Sequence, residues 1–336
     1  MNTLDLLRTD TEKLRKKAYA VMKEAVGEKI YYRGLLEFSN ICARDCSYCG
    51  IRKSNKSITR FRLGKEEIMN AALWCAGEGY GSLVLQSGER SDRHFVRFVD
   101  DVVRAIKKES VSEELPRGLG ITLSCGEQSR ETYQTWFNAG AHRYLLRIET
   151  TDPVLFSKIH PASISLQRRK ACLVDLKDIG YQVGTGVMIG LPGQSVEDLA
   201  RDIDFFREYD VDMIGMGPYI PHRDTPMRDS KAGSIELSLK MVSAVRISMR
   251  NINIAATSAL QAIDPMGRER ALDFGANIIM PLVTPTRVRK HYRLYDGKPC
   301  ANEQAADCSL CLSKRIKGTG REIGFNEWGD SKHWRY

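Results

Sequence analysis

The chain has 336 residues, 42% of them hydrophobic and 28% charged, with a formal net charge of +9. This is the composition of a globular protein; no window offers about 18 consecutive apolar residues for a membrane span, and the dispersed basic residues lack the aromatic interleaving of a nucleic-acid surface. Neither a membrane nor nucleic acid is expected as a partner, and the positive balance suits a small anionic ligand or an acidic protein.

The opening segment, MNTLDLLRTDTEKLRKKAYAVMKEAV, sets apolar residues at helical spacing between charges and reads as a surface helix, not a signal peptide. After it, short runs rich in Ile, Val and Leu recur, each followed by a charged segment of helical period. The expected strands are 31–38, 82–87, 120–125, 143–149, 182–190, 212–220, 252–258 and 276–282. Helices are expected near 65–78, 95–108, 129–139, 166–179, 195–208, 236–249 and 266–273. This alternation predicts an α/β chain with a parallel sheet, and its length favours a closed (β/α)8 TIM barrel over an open doubly wound sheet. We expect an N-terminal helical segment over 1–29, the barrel over 30–283, and a C-terminal extension packed on the barrel over 284–336.

In such barrels chemistry gathers where strands end. At those points stand the cysteine loop after Asn40, Gln86-Ser87-Gly88, Ser124, Arg147 with Glu149, Gly190-Leu191-Pro192-Gly193, the turn from Pro218 to His222, Thr257-Ser258 and Met280. Of nine cysteines, six fall in two tight groups, which suits metal ligation in a reducing cytosol better than a disulfide framework. Cys75, Cys125 and Cys172 stand alone and read as small buried apolar residues. In CARDCSYCG, Cys42, Cys46 and Cys49 are spaced to wrap three corners of a cubane [4Fe-4S] cluster, leaving one iron free for a substrate or cofactor. A tetrahedral zinc site would want a fourth Cys or His nearby, and the next histidine is His94.

C-x3-C-x2-C after the first strand of such a barrel resembles the radical S-adenosylmethionine (SAM) superfamily. The resemblance implies that the free iron chelates the amino and carboxylate groups of SAM, whose reductive cleavage gives a 5'-deoxyadenosyl radical. It implies cofactor contacts at Tyr48 beside the adenine, at Gln86 and Ser87 near the methionine amino group, and at Ser124 on the third strand. It further implies Glu149 at the ammonium or ribose, Arg168 or Arg169 (with Arg169 preferred) at the carboxylate, and Leu191 of GLPGQS at the adenine.

From about 30 to 312 the chain resembles the HydE family of [FeFe]-hydrogenase maturases, relatives of methylornithine synthase and biotin synthase. The stretches that carry this are EFSN, LQSGE, RYLLRIET, GLPGQS, GPYIPHRDTP and ANIIMP. The family implies a cysteine-derived organometallic iron substrate, an electron donor such as ferredoxin or flavodoxin, and other hydrogenase maturases as partners. Expected substrate contacts are Arg33, Thr122, Arg143, Arg147, Thr257, Ser258, Met280 and Tyr295. Cys300, Cys308 and Cys311 resemble the family's accessory iron-sulfur site, with structural zinc or unliganded thiols as alternatives. TSALQAIDP and MPLVTP depart from the family pattern at Leu260, Gln261 and Leu282. They leave open a HydE-like paralogue acting on another amino-acid-derived substrate, such as a methylornithine-synthase-type mutase, whose lysine would need an acidic residue in the cavity. A metal hydrolase would need His and Asp ligands at several strand ends, where only His222 stands.

Overall fold

The computed structural model describes residues 2–300 and 302–335, with 307 and 308 described by backbone alone. Its strands are β1 (Lys29–Ser39), β2 (Ser82–Ser87), β3 (Gly120–Ser124), β4 (Ala141–Leu145), β5 (Gln182–Thr185), β6 (Met188–Ile189), β7 (Met213–Ile214), β8 (Gly217–Pro218), β9 (Asn253–Ala256), β10 (Ile278–Ile279) and β11 (Glu322–Ile323). Eight of them pair in parallel in the order β1-β2-β3-β4-β5-β7-β9-β10, and β10 returns to β1 through Tyr31↔Ile278 and Tyr32↔Ile279. The ring is the expected closed (β/α)8 barrel.

The fifth and sixth staves are each interrupted and resume as β6 and β8, which pair with one another. Gly186 explains the interruption: a Cβ there would lie 1.9 Å from the carbonyl oxygen of Gly215, so the two backbones touch where no side chain fits.

Alternation along β1 sorts its residues by face. Ile30, Tyr32, Leu36 and Phe38 join the core between strands and helices, with Phe38 stacked on Phe95 of the helix Arg93–Glu109. Arg33 and Glu37 point into the barrel, where Arg33 meets Met213 of β7 and Glu37 pairs with Lys298. The helix Arg93–Glu109 forms for equally local reasons: Asp92 caps its start by accepting from the Phe95 N–H at 3.1 Å, and Phe95, Val99, Val102, Val103 and Ile106 make its buried stripe.

The N-terminal segment is two helices, Thr3–Arg8 and Thr11–Ala25, because Asp10 caps a second start by accepting from the Lys13 N–H. Four further helices, Pro153–Ile159, Ser258–Ile263, Thr286–Arg289 and Ala305–Gly318, lie outside the expected set, as does β11, which pairs with the start of β1. Residues beyond the last stave reach both ends of the barrel. At the strands' C-terminal ends, Gly50 donates to the Leu294 carbonyl, Asp296 donates to the Pro221 carbonyl, and Lys298 reaches Glu37, so 294–298 crosses the mouth. At the opposite end the Trp328 and Gly329 carbonyls and the Asp330 carboxylate enter the base. No helix among the described residues is long and apolar enough to cross a membrane.

Candidate active site

Cys42, Cys46 and Cys49 sit half-buried on the loop that leaves β1, and none is in a disulfide. Arg60 organises this loop by donating to the carbonyls of Asn40, Ile51, Arg52, Lys53 and Asn55 at 2.5 to 3.3 Å. Asp45 adds a second brace, accepting from Arg52 Nε at 2.8 Å and from the Ser54 hydroxyl at 2.8 Å. The loop is therefore held by its own side chains.

Burial raises all three thiols, the Cys46 thiol to about 12; the Cys42 charge raises Cys46 further, and the charges of Cys46 and Cys42 raise Cys49. Three thiols in mutual electrostatic reach, whose burial outweighs the opposing charges of Arg60 and Arg169, suit a cationic metal core that displaces their protons. Among the described residues no three His, Cys, Asp or Glu side chains converge on one ion position.

The end of β2 forms the next wall. A Cβ on Gly88 would lie 2.5 Å from the Ile41 carbonyl oxygen and 2.8 Å from Cys42 Cβ, so only glycine lets this segment pass beneath the cysteines. Ala43 donates to the Glu89 carbonyl at 2.8 Å, and the Glu89 carboxylate pairs with Arg44. The other Glu89 oxygen accepts from the Glu127 N–H at 3.0 Å. Glu127 in turn pairs with Arg169 at 2.5 Å, and Arg169 Nη1 donates to the Arg147 carbonyl at 2.5 Å. Arg147 grips Glu149 through two nitrogens, at 3.0 and 2.9 Å. The wall is thus a chain of three ion pairs, Arg44–Glu89, Arg169–Glu127 and Arg147–Glu149, joined by backbone hydrogen bonds from the cysteine loop to the end of the fourth stave. Burial opposes the Arg169 charge, but the Glu127 carboxylate overrides it and holds the guanidinium above its ordinary value.

Glu149 has a φ of +65°, a left-handed conformation that costs a non-glycine residue about 1 kcal/mol or more. It is fixed there because its N–H donates to the Gly186 carbonyl and its carbonyl accepts from Met188. Beside it, Tyr48 packs against an apolar cluster of Ile159, Met188, Leu191 and Tyr219, separate from the main core. His160 stacks on Phe156 and meets Tyr48 edge-on; burial, then the Arg169 charge, lowers it to about 3, so it is neutral.

The structure brings many of the expected residues to this end. Gln86 and Ser124 lie in register with Glu37 as a row across β1, β2 and β3. Ser87 is buried beside Gly88, and Met280 directly follows β10. Thr257 donates to the Met216 carbonyl, and the Ser258 and Tyr295 hydroxyls meet at 2.7 Å. Of the paired arginines, Arg169 is in the wall, whereas Arg168 reaches out to the Gln128 carbonyl at 2.8 Å.

Three expected substrate contacts lie elsewhere. Arg33, Thr122 and Arg143 face the barrel interior but at its base. Arg143 donates to Thr122 at 3.0 Å, to Ser82 at 2.6 Å and to Asp330 at 2.6 Å, while Arg33 donates to the Gly329 carbonyl at 2.9 Å. Alternation fixes the face of a strand residue, not its depth. Arg143 is two residues into β4, whereas Arg147 lies beyond the strand's end.

Cys300 is half-buried and Cys311 is exposed on the helix Ala305–Gly318; the Cys308 side chain lies outside the described residues. Sequence reasoning did not assign Arg44, Arg60, Glu89, Glu127 or Lys298. Glu89 stands within the LQSGE stretch; Arg44, Glu127 and Lys298 pair with side chains distant in sequence, and Arg60 bonds backbone carbonyls, which leave no side-chain pattern.

The superfamily description "Radical SAM superfamily" matches residues 36–206. The chain is 44% identical to the [FeFe] hydrogenase maturase subunit HydE of Thermotoga maritima, over 96% of this chain and 89% of that protein. It is 26% identical to a 3-methylornithine synthase of Methanosarcina acetivorans, over 94% of this chain and 88% of the relative. Among solved structures, methylornithine synthase superposes with a TM-score of 0.81 at 24% identity, covering 96% of this chain and 93% of the other, a likeness of fold.

Proposed function

The chain belongs to the radical SAM superfamily as an enzyme close to the HydE maturase, and on that premise we propose that it matures [FeFe]-hydrogenase by acting on a cysteine-derived organometallic iron precursor. The near-complete length over which the chain resembles HydE carries this reading. Cys42, Cys46 and Cys49 would hold a [4Fe-4S] cluster, which together with SAM would supply reductive cleavage of the sulfonium.

The protein's own task is positioning and shielding. Arg169, aimed by Glu127 and the Arg147 carbonyl, holds the cofactor carboxylate, and Glu149 in its fixed left-handed conformation receives the ammonium or ribose. Gln86, Ser87 and Ser124 offer polar contacts along the second and third staves. Tyr48 and Leu191 give the adenine an apolar seat. Arg147, Thr257, Ser258, Met280 and Tyr295 face the substrate. Lys298 on Glu37 ties 294–298 over the mouth and keeps water from the reacting carbon.

The electron donor would be a ferredoxin or flavodoxin, the partners other hydrogenase maturases, and the compartment the cytosol. The 1–29, 30–283 and 284–336 division is proposed as the domain plan, with Cys300, Cys308 and Cys311 as an accessory iron-sulfur site. A second reading, a HydE-like paralogue acting on another amino-acid-derived substrate such as a methylornithine-synthase-type mutase, is favoured by Leu260, Gln261 and Leu282 at the substrate end. The lysine form of it needs an acidic residue in the cavity, and Glu37 keeps one carboxylate oxygen beyond its pair with Lys298. The test is hydrogenase maturation in an extract lacking HydE. Restored hydrogenase activity on adding this protein supports the maturase; 5'-deoxyadenosine release without restoration favours the paralogue.

A further inference from the structure

Among the described residues, Arg268 is the side chain that leaves two fully buried polar atoms, Nε and Nη1, without a hydrogen-bond partner. It is 3% exposed. A buried guanidinium is costly to leave unmatched, so its persistence in a well-packed wall points to a ligand that completes it.

Its position says what lies in front of it. Arg268 shares the buried face of the helix Gly267–Asp273 with Ala271 and Leu272, at the end of that helix nearest the strands' C-terminal ends. Gly267 presses this end onto the helix Ser258–Ile263, for a Cβ there would lie 2.3 Å from the Leu260 carbonyl oxygen. On that helix Gln261 keeps a buried Oε1 without a partner, and Ser258 meets the Tyr295 hydroxyl at 2.7 Å. Burial raises the Tyr295 phenol to about 12, with Ser258 opposing, so it stays protonated and able to donate; the charges of Arg268, Glu37 and Arg147 all act on it. Glu37 points inward from β1 and has one oxygen on Lys298 and the other, Oε2, buried and unpartnered. The charges of Arg268 and Glu37 both reach Tyr295, and Gln261 shares the helix that carries Ser258, so unmatched donors and unmatched acceptors are gathered around one phenol.

We propose that Arg268 is the receptor for the carboxylate of an α-amino-acid-type substrate, with Gln261 Oε1 and Glu37 Oε2 taking its ammonium group and the Ser258–Tyr295 pair between them. A planar guanidinium suits a carboxylate, and acceptor oxygens of a neutral amide and a carboxylate suit an ammonium. The proposal rests on the reading of the barrel mouth as the substrate site and deepens it. It also gives a role to Gln261, where the sequence departs from the family pattern.

The test is calorimetric binding of L-cysteine and L-lysine, each against its carboxamide, to anaerobically reconstituted protein with SAM present. Comparing acid with amide cancels any contribution of the thiol or side chain. On wild type at least one acid should bind about 10-fold or more tighter than its amide. In R268Q that preference should fall roughly 10- to 100-fold toward parity, and R268K should restore part of it. Circular dichroism checks the fold, and if R268Q fails to fold, R268K and the wild-type ratio decide. Equal binding of acids and amides by wild type, or an undiminished preference in the arginine variants, overturns the proposal. The parent reading has its own readout, release of 5'-deoxyadenosine by the reduced wild type without added amino acid; that release with no acid preference sinks this proposal alone.

Discussion

Arg169→Lys separates charge from shape at the cofactor wall. The guanidinium holds Glu127 through Nε and the Arg147 carbonyl through Nη1, both at 2.5 Å, and leaves Nη2 for a ligand. Lysine offers one compact ammonium, which can keep the ion pair but cannot serve three directions. A hydrogen bond to a charged group contributes about 1.5–3 kcal/mol, so losing the ligand-facing one should weaken SAM binding roughly 10- to 150-fold. The side chains of the pair are only 7% and 6% exposed, so solvent replaces little of what is lost, and the missing bond to Arg147 should lower stability by about 1–2 kcal/mol. Arg168→Lys is the control: its guanidinium reaches the Gln128 carbonyl at the wall's outer side, and SAM affinity should change by no more than about twofold. Titration of SAM into the reduced, reconstituted protein, followed by electron paramagnetic resonance, gives both constants. Equal affinities in the two variants would refute the assignment of Arg169.

Other perturbations follow from the same geometry. Gly88→Ala puts a methyl group 2.8 Å from Cys42 Cβ and should displace the cysteine loop, seen as lowered iron and sulfide content after reconstitution; full content would contradict the close approach. Cys46→Ser should abolish 5'-deoxyadenosine release, whereas Cys308→Ser should leave it largely intact; equal loss in both removes the division between the two cysteine groups. The stability contributed by the His142–Asp330 pair at the base of the barrel should fall with acid. Burial, then the Arg143 charge, depresses His142 to about 4, while in Asp330 the bonds from His142 and Gln182 and the Arg143 charge outweigh burial and hold the carboxyl below the usual range. Both folded values lie below the unfolded ones, so the stabilisation is complete above about pH 6.5, declines through His142 down to about 4, and declines further through Asp330 below that. Asp202 and Asp212, raised by burial to about 7 and about 6, act in the opposite sense, so the readout is the difference in thermal midpoint between wild type and His142→Asn; a difference that stays constant from pH 7 to 3.5 would contradict this pairing.

The barrel was legible because its staves are short Ile, Val and Leu runs between amphipathic helices, and a run such as Ser82–Ser87 can be little else. The cysteine loop was legible because three ligands fall within one turn of chain. Depth along a strand was not: Arg143 and Arg147 share a face, yet one serves the base with Asp330 and the other the mouth with Glu149. Nor could local pattern reveal Arg60, whose partners are five backbone carbonyls, or the Glu89, Glu127 and Arg169 relay, which joins the loops after β2 and β3 to the helix Leu166–Ile179. The short helices after β9 and β10 were missed because too few residues define a period.

Electron paramagnetic resonance of the reduced, reconstituted protein before and after adding SAM tests most directly whether Cys42, Cys46 and Cys49 leave one iron open to it. A [4Fe-4S] signal whose g-values shift on addition, lost in Cys46→Ser, is the expected result. A cluster signal that SAM leaves unmoved would contradict it.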